Sequence, residues 1–221
     1  LFRSGSAIGL GNLWRFPYLA AQYGGGIFIL VYIILALTFG FTLMTTEIAI
    51  GRKTKLSPTR AYKEVDSKFG FIGPIAFIIP VIILPYYCVI GGWVTKYVTV
   101  FAAGQNIAAA EDSFFGNFIG REYAPLIFFI IFLGLTSLIV ISGVEKGIEK
   151  VSSYLMPALI VLAVIICIYV ITIPGSSAGI KYYLLPDFSK FSFKTVCAAM
   201  GQMFYSLSIA MGILVTFGSY M

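Results

Sequence analysis

Apolar residues in this chain neither alternate nor recur at every third or fourth position; they run in long stretches broken by short polar punctuation. A helix needs about 20 apolar residues to cross the hydrocarbon core of a bilayer. Six stretches reach or approach that length: about 5–23, 27–50, 72–103, 125–142, 151–173 and 195–221. Tyr23-Gly24-Gly25-Gly26 supplies a tight turn after the first, and Gly51-Arg52-Lys53 ends the second. The pattern predicts an all-α, polytopic membrane protein.

Two of the stretches are interrupted. The first contains G-S-A-I-G-L-G-N-L-W-R-F-P at 5–17, where glycines at 5, 9 and 11 weaken the helix and Asn12 and Arg15 follow. The sixth carries a small and polar patch, Tyr205-Ser-Leu-Ser208-Ile-Ala210-Met211-Gly212, just after Gly201-Gln202. Lipid offers no water to freed backbone groups, so a broken helix must be buried in protein or line a wet cavity. Breaks at corresponding places in two halves point to an inverted-repeat transporter with its site at the midplane. The first and sixth segments are spaced as a five-plus-five repeat requires. On that reading the chain is one transmembrane domain. Its first repeat covers about 1–173, an external loop about 174–194, and the opening helix of a second repeat about 195–221. It starts without Met and stops inside an apolar stretch, so the expectation is an N-terminal fragment of a longer protein.

Composition sharpens this picture. Of 221 residues, 59% are hydrophobic and 11% charged, against roughly 25% charged in soluble domains; mean hydropathy is +0.96. The net charge of +6 is no nucleic-acid footprint, because the cations collect in loops. Arg52, Lys53, Lys55, Arg60, Lys63, Lys68, Lys146 and Lys150 fall on one side, and Arg121, Lys181, Lys190 and Lys194 on the other. The richer side is the cytoplasmic one, which puts the N-terminus in the cytoplasm as well. Cys88, Cys167 and Cys197 have no metal-ligand spacing and read as reduced apolar fillers. With no His in the chain, His-based catalysis and His metal ligation are excluded.

The first motif, with Tyr18 after it and Gly24-Gly25-Gly26 behind, resembles the first-helix signature of the neurotransmitter:sodium symporters, the LeuT-like family. Glu47-Ile-Ala-Ile-Gly51-Arg52, Tyr86-Tyr87 and Gly201-Gln202-Met-Phe-Tyr-Ser-Leu-Ser208 extend the resemblance along the chain. That family is itself the type case of the broken-helix rule. The resemblance implies the LeuT-like inverted-repeat fold, with helices 1–6 present and helices 1 and 6 unwound at mid-membrane. It also implies sodium-coupled symport of an amino acid into the cell by alternating access. Animal members commonly carry a long glycosylated loop after helix three. The short loop here, and the lack of any Asn-x-Ser/Thr site, resemble a prokaryotic member of the cytoplasmic membrane.

Site residues follow from the resemblance one by one. The Ala7 carbonyl, the Asn12 side chain and the Ser206 hydroxyl resemble one sodium site, which the substrate carboxylate completes. The carbonyls of Gly5 and Ile8 resemble half of a second. The half-helix restarting after Gly9-Leu10-Gly11 would turn free amides toward the substrate carboxylate, as helix N-termini do for anions. The phenol of Tyr87 would add a bond. Gly9 stands where amine carriers place an Asp, which favours a substrate that brings its own carboxylate. Ser6, Ile83, Tyr205, Ser208, Ala210 and Met211 would surround the substrate side chain; mostly apolar, they suit a hydrophobic or aromatic amino acid. Ser6 replaces an Asn, and Ala210 a Gly, common in the family. Arg15 would belong to the external gate, and Tyr205 would be the lid over the substrate. Tyr32, Gln202 and Ser206 match the positions around the chloride site, where a residue of helix seven decides between chloride and a fixed carboxylate. The implied partners are an amino acid, sodium and the lipid bilayer, with no nucleic acid and no organic cofactor; a homodimer stays open.

Plainer readings stand beside these. Asn12 also suits a helix cap, Tyr87 a buried aromatic with a bonded hydroxyl, and Arg15 a side chain snorkelling to headgroups. Glu47 reads as a structural partner for backbone or Ser/Thr groups. Gly9-x-Gly11 lacks the third glycine and the preceding strand of a dinucleotide fingerprint. A channel would want a carbonyl-ring filter such as T-V-G-Y-G or a ring of acidic residues, and a membrane enzyme a clustered nucleophile or acid–base pair. Neither pattern occurs in the apolar spans, so the chain reads as a carrier and not an enzyme, with an ion channel or another polytopic membrane protein sharing the fold without sodium-coupled uptake as the alternative.

Overall fold

The computed structural model describes Gly9 and residues 11–221, apart from the side chains of 144–146. From Gly9 the chain enters a π-helical turn, Gly11–Arg15, continued by α1 (Phe16–Gln22). Gly24 and Gly25, both at positive φ, reverse the chain into α2 (Gly26–Thr54). Next come α3 (Pro58–Val65), α4 (Ile72–Ala102), α5 (Asp112–Ile119) and α6 (Ala124–Ile141). A π-helical turn, Val144–Glu149, leads into α7 (Lys150–Thr172), and α8 (Ser176–Leu184), α9 (Phe193–Ser206) and α10 (Ile213–Ser219) complete the order. Among the described residues, four helical runs are long and apolar enough to cross a membrane: Gly26–Thr54, Ser67–Ala102, Ala124–Ile141 and Gly147–Thr172. These match the second to fifth apolar stretches. The sixth is divided into shorter pieces, as its small and polar residues predict; in the first, Gly11 to Gln22 form one continuous helical run, and most of the expected interruption lies outside the described residues. The short helices α3, α5 and α8 lie in segments read from sequence as loops, since none carries a long apolar run.

The helices α6 and α7 leave most of their large apolar side chains exposed, Leu138, Ile141, Leu155 and Tyr169 among them. Lipid or further protein makes such a surface tolerable; water does not.

The chain forms two compact units, Pro80–Val151 and the pair Leu1–Ile79 with Ser152–Met221. In the first of these, glycines let α4 approach α6 closely. A Cβ on Gly92 would lie 2.8 Å from the Phe129 amide nitrogen, the kind of small-residue contact that membrane helices favour. Trp93 meets Phe115 edge-on at 5.1 Å, and Tyr97 meets Phe114 at 5.5 Å, which ties α5 to α4.

In the other unit α2 is the spine. Its first half packs on α1 and α9 around Ala20, Phe28 and Ala199. Its second half packs around Met203, Ile209 and Leu214. Two glycines set the distance to α10: a Cβ on Gly51 would strike the Val215 carbonyl oxygen, and one on Gly218 the Ile48 carbonyl oxygen. The loop carrying α8 folds back over α1. Tyr182 and Tyr183 donate to the carbonyls of Ala21 and Pro17, each at 2.8 Å. Gly25 pairs with Pro186 in an isolated bridge. Asp187 then caps a short 3₁₀ turn, Phe188–Lys190, by accepting from the Ser189 amide at 3.0 Å.

Backbone pressed on backbone cannot yield as a side chain can. Gly51→Ala is therefore expected to destabilise the full-length protein by about 1–3 kcal/mol, read as a lowered melting temperature in detergent. Gly134→Ala, where nothing lies within 4 Å of the added Cβ, should leave it unchanged. Equal melting temperatures for wild type and Gly51→Ala would refute the close contact.

Candidate ion and substrate site

α9 and α10 are one apolar segment cut by the turn 207–212. The segment opens with Ser192, whose hydroxyl accepts from the Thr195 amide at 3.2 Å, a helix N-cap. It breaks where Ser208, Ala210 and Gly212 take φ values of 54°, 64° and 72°. A non-glycine residue held in the left-handed region costs about 1–3 kcal/mol and persists only where its surroundings over-determine it.

Three contacts do so. The Ala210 amide donates to Oε1 of Glu47 at 2.8 Å, and Glu47 is only 7% exposed. Gly40 closes a π-helical turn in α2, Ala36–Gly40, and a Cβ there would lie 2.7 Å from Leu207. Gly212 rests on Pro58 of α3, its Cβ position 2.9 Å from that ring. One turn further along α3, burial first and then the Glu47 carboxylate push the Tyr62 phenol up to about 12. Oε2 of Glu47 is buried without a hydrogen-bond partner among the described residues.

The first helix meets α9 through one buried amide. Gln202 donates from Nε2 to the Gly11 carbonyl at 2.8 Å and to Oγ of Ser206 at 3.0 Å. Its Oε1 is buried without a partner among the described residues. Gly11 is packed on the ring of Tyr205, which a Cβ at Gly11 would strike. The Arg15 guanidinium lies 5.3 Å from the centroid of that ring, within cation–π reach. The Gly9 carbonyl accepts from the amides of Asn12 and Leu13 at 3.0 and 3.3 Å. These two bonds close the first turn of the helix within the chain.

Gly9, Gly11, Arg15, Gln202, Tyr205 and Ser206 therefore surround one junction, with Asn12 half-buried on the same π-helical turn. Ser208, Ala210 and Met211 lie in the turn 207–212. Tyr32 of α2 stands edge-on to Phe16 at 4.9 Å and packs on the cluster around Met203, the neighbour of Gln202. Ile83 and Tyr87 belong to the other unit, where they sit half-buried one turn apart on α4. Gly5, Ser6, Ala7, Ile8 and Leu10 lie outside the described residues. Sequence reasoning missed Gly40 and Pro58 as supports of the turn. Gly40, the lone glycine of the second stretch, was the available signal.

A model of the sodium:neurotransmitter symporter family matches residues 1–110 and 117–221. The chain belongs to that family. An uncharacterized sodium-dependent transporter of Bacillus subtilis, YhdH, is 33% identical over 99% of this chain and 49% of its own length. Another, MJ1319 of Methanocaldococcus jannaschii, is 35% identical over 98% of this chain and 46% of its own. The crystal structure of MhsT in complex with L-phenylalanine matches with a TM-score of 0.90 and 34% identity, covering 98% of this chain and 50% of that one. This chain thus spans about half the length of the relatives it matches. The all-α, LeuT-like fold expected from the sequence is the one observed. The symporter family consists of transporters, not enzymes, and the chain is an integral membrane protein.

Glu47→Ala would leave the part-buried Ala210 amide without this acceptor, at a cost of about 1–3 kcal/mol. Glu47→Gln keeps an acceptor oxygen and should lose less. Chemical denaturation of the full-length protein in detergent measures both, and an Ala variant as stable as wild type would refute the role of Glu47.

Proposed function

We propose that the protein couples sodium entry to uptake of an amino acid, hydrophobic or aromatic in its side chain, by alternating access. The observation that carries this reading is the buried Gln202 amide joining the Gly11 carbonyl to the Ser206 hydroxyl, where the first helix meets the end of α9. Membership of a sodium symporter family supports the ion, and the phenylalanine bound to MhsT supports the substrate class. Ser206 Oγ accepts one bond from Gln202 and keeps a lone pair for a cation. With the Asn12 side chain, the Ala7 carbonyl and the substrate carboxylate it holds one sodium ion; Gly5 and Ile8 begin a second site. Leu10, Gly11 and Tyr87 receive the carboxylate, and Gly9 leaves out the acid that an amine substrate would need.

Ser6, Ile83, Ser208, Ala210 and Met211 line the side-chain pocket. Tyr205 covers the substrate, and Arg15 braces that ring from the external gate. Tyr32 and Gln202, with Ser206, adjoin a chloride or a fixed carboxylate. The N-terminus lies in the cytoplasm, and the first repeat ends near residue 173. Moving one charge through 100 mV supplies about 2.3 kcal/mol, and a tenfold gradient about 1.4 kcal/mol more. Two sodium ions would then drive a neutral zwitterion through about five decades of concentration.

The test is uptake of labelled leucine, tyrosine and tryptophan by the full-length parent in proteoliposomes, under an inward sodium gradient or matched potassium. Accumulation should require sodium and collapse in Asn12→Ala. Uptake indifferent to sodium would overturn the coupling; sodium-driven uptake untouched by the substitution would return Asn12 to a helix cap.

A further inference from the structure

One flank of α2 has a shape that the transport site does not use. Thr45, Ile48, Ala49, Arg52 and Lys53 recur at three- and four-residue spacing, so they share one face of the helix. Together they line a groove of about 560 Å³. From Thr45 to Lys53 the helix rises about 12 Å. One end of the groove is apolar. The Thr45 hydroxyl turns back on its own helix, donating to the carbonyls of Phe41 and Thr42 at 2.9 Å, which leaves a methyl group beside Ile48 and Ala49. The other end is cationic. Arg52 and Lys53 are exposed, and neither has a carboxylate within ion-pair distance among the described residues. Lys55, Arg60, Lys63 and Lys68 follow against only Glu64 and Asp66, so the field at that end is positive.

An apolar wall that becomes doubly cationic over about 12 Å has the proportions of the upper acyl chain and phosphate of a lipid. We propose that the groove holds one anionic phospholipid of the leaflet on the α3 side, its phosphate between Arg52 and Lys53 and its chain along Ile48 and Ala49. Basic residues at a membrane surface attract anionic lipid generally; the groove turns that attraction into a defined seat. A free phosphate would leave the apolar wall unused. The inference is independent of sodium coupling, because it needs no transport.

The test is native mass spectrometry of the delipidated full-length protein in detergent, with phosphatidylglycerol or phosphatidylcholine of equal chain length added. Wild type should retain phosphatidylglycerol selectively. Arg52→Gln with Lys53→Gln should weaken that retention about tenfold or more, whereas Lys181→Gln with Lys194→Gln should not. Equal retention of both lipids by wild type, or retention by the groove variant matching wild type, would overturn the proposal. So would wild type retaining neither lipid, since another part of the protein would then fill the groove. Should the groove variant fail to fold, Ala49→Trp, which obstructs the apolar wall and keeps both cations, decides: lost phosphatidylglycerol supports the seat, and unchanged retention refutes it.

Discussion

In hydrocarbon, an amide released from a helix has to find its acceptor inside the protein, and here the Ala210 amide finds the Glu47 carboxylate. Much of the surrounding packing follows from that bond. It requires α2 to run beside the break, and the backbone contacts at Gly51 and Gly218 bring α2 and α10 near enough. It lets two residues with side chains, Ser208 and Ala210, stay in a left-handed conformation that an open loop would abandon. Pro58 below Gly212 and Gly40 beside Leu207 close the turn on two further sides.

Gln202 does for the turn at Gly11 what Glu47 does for the break between α9 and α10. A neutral amide bonds the Gly11 carbonyl and the Ser206 hydroxyl together and brings no charge to the place where a cation is expected. Tyr205 packs close on Gly11, where a Cβ would strike its ring. The result is a junction of short polar groups and close backbone, with the charged Arg15 kept at its rim over the Tyr205 ring.

On the opposite end of α1, the loop around α8 is fastened by two phenols to the carbonyls of Ala21 and Pro17. Bonds from Gln202 and contacts from Tyr205 hold the near end, so α1 is tied at both ends to the segment around α8 and α9.

The apolar stretches, the break after Ser206 and the family motifs were legible in the sequence, because lipid imposes length and purity on any helix that crosses it. Glu47 was legible as a backbone partner for the same reason: a carboxylate in such a stretch has to be bonded. Which amide it bonds was not legible, since Ala210 lies far along the chain and only packing selects it. The supports at Gly40 and Pro58 and the helices α3, α5 and α8 likewise came from the tertiary structure. Short segments without an apolar run owe their helicity to neighbours. Sequence by itself determined where the helices must run and where they must break; only the folded chain decided which groups close the breaks, because a freed amide is satisfied by whatever acceptor packing brings within about 3 Å.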